Sequence, residues 1–199
     1  MINTIGKSKF FNINHQSLIN FQFSSGIFWY CSRSVIIKIM STPHLTAIQD
    51  LYPDDFAHCF GCGRKNPQGH QLKSYDRGGE VVAQFTPSAD YVSVPGFVYG
   101  GLLASLVDCH AMATAAAADL AAMPGGSGGV APRYVTGALR VDYLKPTPLG
   151  MELEIRGRVI EQSEKKKVVQ LTLSAGGTVT VKAEAVAVRI PKSMEQIRS

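Results

Sequence analysis

The chain has 199 residues, 45% of them hydrophobic and 18% charged, which suits one sizeable core and excludes two ordinary domains or a wholly disordered chain. Lys and Arg number 20 against 15 Asp and Glu, a net charge of +5, which on its face invites a polyanion or a membrane surface as partner. No uncharged apolar run reaches about 18 residues, which argues against a membrane-spanning helix.

The charge is unevenly placed. Lys7, Lys9, Arg33 and Lys38 all precede the first acidic residue, Asp50, and from residue 40 onward 16 basic residues face 15 acidic ones. Four of the five excess charges therefore lie in residues 1–39. That segment holds Phe10, Phe11, Phe21, Phe23, Phe28, Trp29 and Tyr30 beside Val35-Ile36-Ile37. Its aromatics keep neither a period of about 2 nor one of about 3.6, so it does not read as a core element. Arg33 and Lys38 interrupt the apolar run that a secretory signal needs, and a single Arg is too few for a mitochondrial presequence. Met40-Ser41-Thr42-Pro43 reads as an ordinary protein start. The expectation is an N-terminal extension over 1–39, disordered or arising from a start assigned too early, followed by a single domain over 40–199.

Residues 45–57 are expected to form a short helix ending near Pro53. A turn-rich stretch follows, from His58-Cys59-Phe60-Gly61-Cys62-Gly63 to Asn66-Pro67-Gln68-Gly69. Gln71–Tyr75 alternates as a strand does, Asp76-Arg77-Gly78-Gly79 is a hairpin signal, and Val81–Phe85 is the returning strand. After Pro95-Gly96, the segment from Gly100 to about Met123 is dominated by Ala and Leu and predicts one long helix. Pro124-Gly125-Gly126-Ser127-Gly128-Gly129 stops it in a mobile loop. Strands are expected over Tyr134–Leu144, Glu152–Gln162, Lys167–Ser174 and Thr178–Ile190, all rich in β-branched residues. A helix apolar on nearly every side must be buried. One sheet wrapped around one central helix is the economical packing, an α+β architecture.

At the helix start, Val98-Tyr99-Gly100-Gly101-Leu102-Leu103-Ala104-Ser105-Leu106-Val107-Asp108 resembles the PaaI-like acyl-CoA thioesterases of the hotdog-fold superfamily, whose pattern is His-Gly-Gly, six residues, then Asp. Tyr143-Leu144-Lys145-Pro146 resembles their Tyr-x-x-Pro at the end of the next strand. Cys59-Phe60-Gly61-Cys62-Gly63 with Asn66-Pro67-x-Gly69 resembles the opening segment of a subset of them. The resemblance covers roughly residues 55–190. It implies a hotdog fold, an antiparallel sheet around a long central helix. It also implies hydrolysis of an acyl-CoA thioester to free acid and coenzyme A, in sites shared across the interface of a homodimer or homotetramer. Two positions depart from the pattern: Tyr99 stands where the family has His, and Ser93 where related enzymes often carry Asn.

Thioester hydrolysis needs a polarised carbonyl oxygen and a carboxylate that attacks or activates water. A helix N-terminus offers unpaired N–H groups and the positive end of a dipole. The resemblance makes the Gly100 N–H the oxyanion donor, Asp108 the general base or nucleophile, and Thr136 the residue that positions the carboxylate or water. Read without it, the two glycines only permit a tight approach to the helix, Asp108 is a helix carboxylate bonded to a nearby donor, and Thr136 is a strand former. Ser93, Tyr99, Gly101 and Ser105 are the candidate substrate-binding residues. Gly100 and Asp108 are eight residues apart, about 12 Å along one helix. A thioester carbonyl and its attacking group must approach to about 3 Å. Two antiparallel helices, one from each subunit, would reconcile these distances. The small side chains of Ala111, Ala113 and Ala115–Ala118 suggest room for an acyl group beside the helix.

Other patterns carry less. Cys59-x-x-Cys62, flanked by His58 and His70, has metal-like spacing, but a closed zinc site needs four ligands and no second Cys-x-x-Cys occurs. Cys31 and Cys109 lie elsewhere in the chain, so the motif is read as a structural turn, with no metal and no bound cofactor expected. Free cysteines without a secretory signal point to a reducing cytoplasm. Lys165-Lys166-Lys167 is read as a solvated hairpin tip, with a contact to coenzyme A phosphates, shared with Arg133 or Arg140, as the alternative. His110 points away from Asp108 on the helix and is a poor acid–base partner for it. Acyl-CoA is the expected partner, with neither nucleic acid nor membrane, since the region beyond residue 39 is almost neutral. A non-hydrolytic acyl-CoA-binding protein and a hotdog hydratase or dehydratase are the competing readings. The second usually calls for a His at the helix start.

Overall fold

The computed structural model describes residues 46–123, 129–191 and 194, and the backbone of 21–22, 27–32 and 35–40. The chain divides into two compact units, Met1–His44 and Leu45–Ser199. The first unit contains β1 (Phe21–Gln22), β2 (Ile27–Ser32) and β3 (Val35–Met40), paired antiparallel in that order. Strands thus occur in the segment whose aromatic spacing does not read as a core element. The rest of the extension read over 1–39 lies outside the described residues, as does the loop expected over 124–128.

In the second unit, β4 (Ser74–Asp76) and β5 (Val81–Phe85) precede the 23-residue helix α1 (Gly100–Ala122). After it come β6 (Tyr134–Tyr143), β7 (Leu153–Gln162), β8 (Lys166–Ala175) and β9 (Thr178–Arg189). Six strands form one antiparallel sheet in the order β4-β5-β7-β8-β9-β6. The long helix packs on it, chiefly on β6, β7, β8 and β9. This is the hotdog architecture.

Period-2 alternation decides which face of the sheet meets α1. Leu153 and Ile155 of β7, Val169, Leu171 and Leu173 of β8, and Val181, Ala183, Ala185 and Ala187 of β9 are all buried. On α1, Leu102, Leu106, Val107, Ala111, Ala113, Ala115 and Ala116 are buried too. Small residues on both sides let helix and sheet approach closely. Gly157 marks the tightest point: a Cβ there would lie 2.5 Å from Thr114 Oγ1. Of the alanine positions expected to leave room for an acyl group, Ala111, Ala113, Ala115 and Ala116 are fully covered, whereas Ala117 and Ala118 line a small cavity of about 90 Å³. By length and apolar composition α1 would also suit a membrane crossing, but 72% of its most apolar window is buried against the fold.

Three local differences from the sequence reading have physical causes. The short helix expected over 45–57 is two 3-10 turns, Ile48–Leu51 and Asp54–Phe56, broken by Pro53. The strand expected over 71–75 begins only at Ser74. Gln71 is held at φ 52°, and the His70 and Leu72 N–H groups donate to Phe60 and Gly61, tying this backbone to the cysteine turn. Lys167 is not a solvated tip: it is 5% exposed and pairs with Asp119 of α1 at 2.8 Å.

Candidate active site

The approach to α1 is built by the 86–99 loop. Tyr99 N–H donates to Tyr91 O at 2.8 Å, Val98 N–H to Thr147 O at 2.9 Å, and Leu149 N–H to Gly96 O at 2.9 Å. Gly96 takes φ +87°, which favours glycine at the turn. Tyr99 is the extended N-cap residue, and no side chain caps the helix. Leu102 and Leu103 N–H donate to Tyr99 O at 3.1 and 3.4 Å, which leaves the Gly100 and Gly101 N–H groups at the open end of the helix. Tyr143, from the end of β6, donates its hydroxyl to Gly100 O at 2.9 Å and so ties the helix start to the Tyr-x-x-Pro segment.

Beside this end lies a cleft of about 440 Å³, lined among others by Ser93, Phe97, Val98, Gly100, Leu103 and Tyr143. Ser93 Oγ faces the carbonyls of Phe97 and Val98 at 3.4 and 3.5 Å. Tyr99 is 55% exposed, and its ring folds back over Gly101, where a Cβ would lie 2.2 Å from the phenolic oxygen. A side chain at the second glycine would displace this exposed ring. Ser105 lies further along α1 and faces the cysteine turn, 3.4 Å from where a Gly61 Cβ would be.

Asp108 is half-buried, two turns beyond the cleft, and does not line it. Thr136 Oγ1 donates to Asp108 Oδ1 at 2.5 Å. Thr136 stands at a bulge in β6: its partner on β9 is Ala187, and Ala138 pairs with Val186, leaving Gly137 unpaired. Any side chain at Gly137 would approach Val188 Cγ2 to 2.8 Å. Burial pushes the Asp108 carboxyl above its ordinary range, and the Thr136 hydroxyl, favouring the ionised form, opposes the shift. One chain therefore presents an open helix N-terminus with a cleft, and a separate carboxylate held by a threonine. It brings Asp108 to Thr136 and Ser93 to Gly100, but not Asp108 to Gly100.

The model of the family described as Thioesterase superfamily matches residues 95–186. A crystal structure of a thioesterase superfamily protein from Shewanella loihica is 40% identical, with 69% of this chain and 98% of that one covered and a TM-score of 0.53. The chain belongs to the thioesterase superfamily. Two more distant structures share the fold. A second thioesterase superfamily protein is 24% identical over 72% of this chain and 69% of its own, with a TM-score of 0.53. An uncharacterized protein from Pyrococcus horikoshii is 18% identical over 73% of this chain and 95% of its own, with a TM-score of 0.51. No curated protein matches the sequence.

The remaining residues singled out from sequence fall elsewhere. His110 is fully buried on the other side of α1. Its Nε2 meets Val81 O at 3.0 Å and its Nδ1 meets Ser74 Oγ at 2.9 Å, while Gln49 bonds both the hydroxyl and the backbone of Ser74. Burial pushes its pKa down to about 4, so this histidine is a neutral strut between helix and sheet. His70 accepts or donates with Tyr91 Oη at 2.9 Å and sits edge-on to Phe60 and Phe85. Arg140 is exposed and paired with Asp142. Arg133 is more buried, its guanidinium 4.8 Å over the Tyr52 ring. Sequence reasoning missed two juxtapositions: the Tyr143 clamp on Gly100, and Cys109, which lies against the Cys-x-x-Cys turn rather than apart from it.

Proposed function

We propose that this superfamily member is a cytoplasmic acyl-CoA thioesterase acting as a homodimer or a pair of dimers, with Asp108 as general base or nucleophile. The observation that carries the reading is the Asp108–Thr136 pair: a half-buried carboxylate whose basicity is raised by burial and whose orientation is fixed by a hydroxyl donor. The carboxylate takes a proton from water as the water attacks the thioester carbonyl. The Gly100 N–H of the facing subunit receives the oxyanion, assisted by the helix dipole. Collapse of the tetrahedral species breaks the C–S bond and releases coenzyme A thiolate and the free acid. Acting as nucleophile, the same carboxylate would pass through a mixed anhydride that water then cleaves.

The acyl group occupies the cleft beside Ser93 and Gly100, which is far roomier than the cavity of about 90 Å³ beside Ala117 and Ala118. Tyr99 supplies a phenolic hydroxyl where a histidine would stand, and Gly101 gives its ring the space to fold over the helix start. Ser105 faces the cysteine turn.

Asp108→Asn keeps the shape and removes the base. With a panel of acyl-CoAs and a free-thiol assay, hydrolysis is expected to fall by roughly 100-fold to 10,000-fold while coenzyme A binding persists. Hydrolysis undiminished in the variant contradicts the role of Asp108. Acyl-CoA binding without release of thiol by the unaltered protein would favour the non-hydrolytic reading.

A further inference from the structure

The turn that sequence alone suggested to be merely structural gains a third sulfur in the fold. Cys59, Cys62 and Cys109 place their Sγ atoms all within 4.8 Å of one another, and Cys59 and Cys109 are 3.7 Å apart. Two sulfurs each about 2.3 Å from a tetrahedral zinc ion lie about 3.8 Å apart. The Cys59–Cys109 edge already has that length, and side-chain torsions can adjust the third corner.

Backbone donors and a guanidinium lie beside the sulfurs. The backbone N–H groups of Gly61 and Cys62 point at the Cys59 sulfur, the kind of outer-shell donation that orients and stabilises a metal-bound thiolate. Gly61 is what admits Cys109: a Cβ there would lie 2.2 Å from the Cys109 sulfur. The Arg133 guanidinium is close enough to act electrostatically on Cys59 and Cys62, and its buried Nη1 has no hydrogen-bond partner among the described residues. Three thiolates and one divalent ion carry a net charge of about −1, which Arg133 balances. Cys62 and Cys109 are buried and Cys59 is half-buried, so the cluster opens on one side only.

We propose that Cys59, Cys62 and Cys109 form a three-thiolate site for a thiophilic divalent cation, zinc, with the fourth position left to water or an added thiol. Binding releases the thiol protons and forms three metal–sulfur bonds without any change of oxidation state. The site joins the cysteine turn to the residue after Asp108, and it does not depend on the hydrolytic reading.

The test uses the full chain, purified under reducing conditions with zinc present and then desalted. Elemental analysis is expected to find about one zinc per chain, and less than about a tenth of that in Cys59→Ser and Cys109→Ser, with Cys31→Ser unchanged. Cobalt added to the metal-free protein should give a thiolate-to-cobalt charge-transfer band and tetrahedral visible bands. This second readout is made on the unaltered chain, so it decides the matter even if a variant fails to fold. An unaltered protein that takes up neither metal overturns the proposal. So does the loss of two titratable thiols with a mass lower by about two daltons, which marks a disulfide instead.

Discussion

Asp108 is subject to two opposed influences, and the balance decides what it can do. Burial raises its proton affinity, and the Thr136 hydroxyl favours its ionised form while fixing one oxygen. Thr136→Val keeps the β-branched shape and removes the donor. It is expected to lower kcat about tenfold with KM little changed, read in steady-state acyl-CoA hydrolysis, because a positioning bond is lost and no reacting group is. An unchanged kcat would make the pair structural only. The two glycines before it differ in kind. A Cβ at Gly101 would need the exposed Tyr99 ring to swing away, whereas a Cβ at Gly100 meets only the Tyr143 ring at 3.6 Å, an ordinary contact. At this scale the catalytic candidates were legible, because Gly-Gly, Asp and Tyr-x-x-Pro are local strings. The Thr136 partnership came only from the resemblance, since 28 residues separate it from Asp108. The approach of Cys109 to Cys59 spans 50 residues and no string encodes it.

The elements were legible where one period dominates. The alternation of β7, β8 and β9 and the Ala-Leu run of α1 gave bounds that agree within a residue or two with the observed strands and helix. The short pieces were not, because Pro53 and the positive φ of Gln71 override weak periodicity. Lys167 shows a different limit. A run of three lysines at a turn suggests solvent, yet β8 begins at Lys166 and alternation sends Lys167 inward to Asp119. Tyr134 Oη also donates to Asp119 at 2.7 Å, and the Lys167 ammonium lies 5.9 Å from the Tyr134 ring centre. Asp119→Ala leaves this ammonium buried without its carboxylate, and chemical denaturation should show a loss of about 3 kcal/mol. Lys167→Met, which removes the charge and keeps the volume, should cost far less. Equal losses in the two variants would mean that packing, not charge pairing, is what matters there.

For the whole molecule, the net charge of +5 is unevenly divided. Four of those charges belong to residues 1–39, and the hotdog unit that carries the site is almost neutral. The fold also explains why one chain looks incomplete. Gly100 and Asp108 lie on one straight helix, about 12 Å apart along its axis, and the cleft at the helix start excludes Asp108. If facing subunits supply the two groups, each active site needs Gly100 from one chain and Asp108 from the other. Gly100→Pro removes the N–H donor at the first helical position, where proline is well tolerated. Tyr99 is already extended there, as a residue before proline prefers. Asp108→Asn removes the base. Each variant alone should be inactive, and a mixed dimer of the two should contain one fully intact site. The decisive measurement is acyl-CoA hydrolysis by the two variants after they are unfolded and refolded together, with differential tags to verify mixed dimers. Recovery of roughly a quarter of the unaltered activity is predicted, since about half of random dimers are mixed and each holds one good site. Mixed dimers that form and remain inactive would contradict it.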